Sequence, residues 1–106
     1  MSKFKPSHPG LIVEDVLLSQ NIRPIDLAKA MMVSPSTVSR IISGKMGISA
    51  DLALRLEKTL SINAQLLVDM QASYDLFIAE RADKESNFMK NLPKLVKTSS
   101  LSIETV

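Results

Sequence analysis

Apolar residues recur along this chain at three- and four-residue intervals between short polar breaks, the spacing of helices that bury one side. In the first such stretch Pro9 suits an opening turn, and Ile12, Val13, Val16 and Leu17 follow at helical spacing to about Gln20. Asn21 fits the closing turn, while Leu11 and Leu18 leave little of this helix polar. Pro24 opens a second, shorter helix, with Asp26 in its first turn and Leu27, Ala28 and Met31 on its inner side. After a break at Met32 and Val33, Ser34 reads as an N-cap and Pro35 as the first residue of a third helix. Val38, Ile41 and Ile42 face inward there, and Gly44 and Gly47 turn the chain. Ser49 caps a fourth helix carrying Leu52, Ala53, Leu56 and Leu60. Asn63 caps a fifth, expected from Ala64 to about Ala82. The pattern predicts an all-α fold of five helices over residues 8–82, after a flexible stretch at 1–7. Residues 83–106 form a C-terminal tail, either a short helix or disordered, in which Phe88, Met89, Leu92, Leu95 and Val96 interrupt Lys, Ser and Thr.

Composition refines this picture. With 106 residues the chain can build one hydrophobic core. Apolar residues make up 45% and the mean hydropathy is +0.13, which points to apolar surface covered by a partner. There is no Cys, so disulfides and Cys-based zinc sites are excluded and nothing argues for secretion. No run reaches membrane-spanning length, and a cytoplasmic protein is expected. The net charge of +2 is uneven: +3 over residues 1–62, −3 over 63–83 and +2 over 84–106. A basic front half fits an anionic partner.

The third helix carries the chemistry. Two short helices joined by a tight turn, the second beginning Ser-Pro-Ser-Thr, form a helix-turn-helix pattern. With Val38, Ile41 and Ile42 inward, Ser36, Thr37, Ser39, Arg40 and Ser43 are left outward. Short hydroxyls let a helix approach DNA closely and bond phosphates or base edges, and a guanidinium can pair bidentately with guanine. The free N–H groups at the helix start can hold a phosphate.

The segments HPGLIVEDVL, IDLAKAMMVSPSTVSRIISGKMGISADLALRLEKTL and LLVDMQASYDL together resemble the HigA-type antitoxins, a branch of the phage-repressor-like helix-turn-helix proteins. The resemblance spans about residues 8 to 80. It implies a five-helix domain, usually dimeric, that neutralises a RelE-like mRNA-cleaving toxin by direct binding and represses its own operon. By position it implies DNA contacts from Ser34, Pro35, Ser36, Thr37, Ser39 and Arg40, and phosphate contacts from Arg23, Ser43 and Lys45. Four places depart from the family pattern, one being Leu11 and Val16, which stand where charged residues are common. Arg23-Pro24 replaces a Ser/Thr-Gln start of the second helix, which removes a Gln able to touch DNA. Met32 stands where Gly is common, at a cost of about 1 kcal/mol or more if the backbone there is left-handed. Leu66-Leu67 replaces a Phe-Trp pair.

Two partner surfaces are expected besides the DNA face. One recognition helix reads one half-site, so a homodimer on a palindromic operator follows. Its candidate interface is Leu66, Leu67, Met70, Tyr74, Phe77 and Ile78, too many apolar groups for one face of a small monomer. The candidate toxin surface is Leu11, Val16 and Leu18, because Ile12, Val13 and Leu17 already fill the core stripe of the first helix. His8, the single histidine, has no acidic neighbours in sequence and is expected to be structural. The Met residues, among them Met31, Met32 and Met70, are read as core filling. No cofactor, metal site or enzyme signature is found. The alternatives are a helix-turn-helix regulator without a toxin, and a protein-binding module that has lost DNA binding.

Overall fold

Helix order in the computed structural model, which describes residues 5–96, follows the sequence pattern closely. The elements are α1 (Gly10–Ser19), α2 (Pro24–Met31), α3 (Pro35–Ile42), α4 (Ala50–Leu60) and α5 (Ala64–Ser86), followed by a 3-10 turn at Met89–Asn91. Three starts are capped by side chains. Ser34 Oγ accepts from Thr37 N, Ser49 Oγ from Leu52 N and Asn63 Oδ1 from Leu66 N. Four helices are closed by a non-glycine residue in the left-handed region: Asn21 in the turn after α1, Met32 after α2, Ser61 after α4 and Asn87 after α5. Pro9 is the N-cap residue of α1, just before its first turn.

The core gathers one stripe from each helix. Val13 and Leu17 come from α1, Leu27, Ala28 and Met31 from α2, and Val38 and Ile41 from α3. Ala53 and Leu56 come from α4 and Leu67 from α5, with Ile48 and Ile62 from the connections. The α2 and α3 helices pack on each other, α1 lies against α3, and α4 joins α2 to α5. Gly10 permits the closest approach: a Cβ there would stand 2.0 Å from the Ile41 carbonyl oxygen.

Two expectations are corrected. The α5 helix continues to Ser86, past Ala82, because nothing before Asn87 breaks it. Met32 is not core but 84% exposed, since its left-handed backbone (φ 60°, ψ 45°) turns the side chain outward. The tail begins with a 3-10 turn at Met89–Asn91; residues 97–106, like 1–4, lie outside the described residues. With half of α5 beyond the core, the radius of gyration is 17.6 Å, against about 13 Å for a compact chain of this size.

Candidate nucleic-acid interface

The third helix presents two chemically opposite sides. Val38 and Ile41 are 1% exposed on the inner side. Ser34, Pro35, Ser36, Ser39, Arg40 and Ser43 are exposed on the other, with Thr37 half-buried at the boundary. Ser36, Ser39, Arg40 and Ser43 repeat at i, i+3, i+4 and i+7, so they form one stripe. At the helix start the Ser34 hydroxyl lies 3.0 Å from that of Ser36 and 2.9 Å from that of Thr37. It also accepts from Thr37 N–H at 3.2 Å. These contacts fix the hydroxyls beside a helix N-terminus, whose N–H groups favour an anion.

At the other end the Arg40 carbonyl accepts from Lys45 N–H at 2.9 Å, from Met46 N–H at 3.1 Å and from the Ser43 hydroxyl at 3.3 Å. This turn, with Gly44 at φ 78°, carries exposed Lys45 just past Ser43, the last residue of the stripe. Arg40 and Lys45 make no ion pair among the described residues. Arg23 differs: at the N-cap of α2, its Nε and Nη2 donate to the two carboxylate oxygens of Asp26 at 2.9 and 3.2 Å. Those hydrogen bonds hold the Asp26 carboxyl below its ordinary range. A phosphate contact from Arg23 has to compete with that carboxylate.

Three supporting side chains escaped the sequence reading as contacts. Arg55 donates from Nη1 to the Met31 carbonyl at 2.7 Å and from Nε to Asp51 at 2.9 Å, so α4 caps the C-terminus of α2. Gln71 is 8% exposed; its Oε1 accepts from Ile48 N–H at 2.8 Å and its Nε2 donates to Asp75 at 3.0 Å. His8 is 8% exposed, accepts from Gly10 N–H on Nδ1 at 2.9 Å and meets the Tyr74 ring edge-on at 5.1 Å. Burial pushes its imidazole below the ordinary value, against the opposing pull of Asp75 and a hydrogen bond with the Met46 backbone. The visible signals were Asp51 and Arg55 at i,i+4, and the run Gln71-Ala-Ser-Tyr74-Asp75.

The expected partner surfaces divide. Leu11 and Leu18 are 48% and 74% exposed, with Glu14 and Asp15 between them on the same side of α1. Val16 is half-buried: it packs against the core and lines a hollow with Ile22 and Leu60. Leu67 is corrected, being fully buried in its own chain's core, because it falls on the side of α5 that meets α4. Leu66 and Ile78 are exposed, while Met70, Tyr74 and Phe77 are half-buried, Tyr74 partly by His8. No helix among the described residues is long and apolar enough to cross a membrane.

Residues 13–67 match the helix-turn-helix family model. Over 80 residues the chain is 44% identical to virulence-associated protein I of Dichelobacter nodosus, covering 74% of this chain and 73% of that protein. The Pseudomonas aeruginosa antitoxin HigA, solved with the higBA promoter, superposes with a TM-score of 0.74 at 36% identity, over 86% of this chain and 99% of that one. Antitoxin GraA in complex with its operator superposes at 0.74 with 28% identity, over 92% and 98%. The chain therefore belongs to the helix-turn-helix family, and within it resembles the HigA-type antitoxins.

Proposed function

We propose that this chain is a cytoplasmic antitoxin that binds a palindromic operator as a homodimer, represses its own operon and neutralises a RelE-like mRNA-cleaving toxin. The observation that carries the DNA reading is the α3 face: Ser36, Ser39, Arg40 and Ser43 in one exposed stripe, beginning at a hydroxyl cluster on a helix N-terminus. Arg40 is the base-reading candidate, while Ser34, Thr37, Ser43 and Lys45 position the helix on phosphates. The solved relatives with promoter or operator DNA support the DNA reading.

The toxin surface is the outer side of α1, where Leu11 and Leu18 flank Glu14 and Asp15. An exposed apolar pair around two carboxylates suits a basic protein. Dimerisation uses the uncovered side of α5. Co-expression with the neighbouring reading frame, a pull-down, and a gel shift on the shared promoter test all three parts. Promoter binding without any toxin partner would reassign the chain as a stand-alone regulator. Partner binding without promoter affinity would make it a protein-binding module.

A further inference from the structure

Past Tyr74 the fifth helix leaves the body of the domain: between residues 75 and 86 only Phe77 and Asp83 are even half-buried. The segment that follows is rich in apolar groups that no other described residue covers. Phe88, Met89, Leu92, Leu95 and Val96 are 64%, 52%, 58%, 91% and 53% exposed. Its start is fastened to the helix end, with Met89 N–H donating to Asp83 Oδ1 at 3.1 Å and Phe88 N–H to Ser86 Oγ at 3.3 Å. Residues 87–96 hold Lys90 and Lys94 and no acid, whereas residues 63–75 hold Asp69 and Asp75 and no base. Beside Asp69, the N-terminal arm and α5 leave a shallow hollow lined by Pro6, Ser7, Met70 and Ser73.

We infer that in the dimer residues 87–96 of one copy lie in this hollow of the other. Apolar groups of the segment cover Met70 and Pro6, and its lysines meet Asp69. The inference rests on dimerisation through α5, and it fixes the helix pair as antiparallel. A parallel pair would set lysine segment beside lysine segment and Asp69 beside Asp69. The chain's own hollow is a poor alternative. Asp69 and Asn87 are separated by about 27 Å of continuous helix. Ten residues span at most about 33–36 Å, so the segment would have to run back almost fully extended.

The test uses the full chain. Lys90→Glu with Lys94→Glu should raise the dimer dissociation constant about tenfold or more in sedimentation experiments, and adding Asp69→Lys should restore it. Because the chain has no Cys, disulfide trapping is unambiguous. Mixing Met70→Cys protein with differently tagged Leu92→Cys protein should give a mixed-tag disulfide. In a single chain carrying both Met70→Cys and Leu92→Cys, a disulfide formed only within chains overturns the inference. So does a dimer constant unmoved by the lysine changes, and in both cases the dimer itself stands. A wild-type chain that sediments as a monomer at micromolar concentration instead removes the dimer reading on which the inference depends.

Discussion

Arg40 on α3 and Lys45 in the turn after it are both exposed, yet they should fail differently when removed. Arg40→Ala should weaken operator binding by about 1–3 kcal/mol and relax preference at one base pair. Lys45→Ala should weaken every sequence alike and lower the salt slope by about one. Titrations at several salt concentrations, on the operator and on scrambled DNA, separate the two; unchanged affinity for Arg40→Ala would reject it as a base reader. Met32 holds a left-handed backbone that glycine adopts without strain, and its side chain is 84% exposed. Met32→Gly should therefore stabilise the fold by about 1 kcal/mol in denaturant melts, less the entropy cost of glycine in the unfolded chain. For His8 the sign follows from its lowered pKa. The unfolded imidazole takes up a proton near its ordinary 6.5, while the folded one resists it to lower pH. The neutral ring's contribution is complete above 6.5 and fades as pH falls below that value. His8→Asn, which keeps an acceptor for Gly10 N–H, should melt with a flatter dependence between pH 7.5 and 5.5.

At the level of elements, two side chains tie the helix-turn-helix to the helices behind it. Arg55 reaches from α4 to the last carbonyl of α2, and Gln71 reaches from α5 to the Ile48 amide after α3. Gln71→Ala leaves that buried N–H without its partner and should cost about 1–3 kcal/mol in chemical denaturation; a loss near zero would mean that water replaces the amide. Arg55 was visible in the sequence only as a charged residue four after Asp51, and Gln71 only as a polar residue amid an apolar stripe. Their partners lie 24 and 23 residues away, and helical spacing records no such separation. The helices were legible because caps, prolines and apolar stripes are local: Ser34, Ser49 and Asn63 accept the bonds their positions imply. The outer stripe of α3 was legible for the same reason, being the complement of Val38 and Ile41. The partner residues were less so. Leu67 and Leu66 are neighbours in sequence and both apolar, and only the packing of α4 shows which one is already covered.

For the whole molecule, the charge division and the two uncovered surfaces set what assembly demands. Two recognition helices on a palindrome should read half-sites with centres about 34 Å apart, or a multiple of it, and footprinting of the promoter measures that spacing. Leu11→Glu with Leu18→Lys alters only exposed positions of α1. It should abolish rescue from the toxin while leaving operator affinity and melting temperature near wild type, and parallel loss of all three would place those leucines in the fold. The contact between Gly10 and the Ile41 carbonyl bears on how such a protein acquires a new operator. With the backbones of α1 and α3 so close, a Cβ at 2.0 Å could not be admitted, and α3 has no room to shift toward α1 within the domain. Each reading head is then a rigid stamp, and its base preference should change through side chains on α3, not through a shift of α3 within the domain. In the proposed dimer, tolerance of altered half-site spacing falls instead to the joint between the two copies, so spacing and base preference should evolve as separate traits.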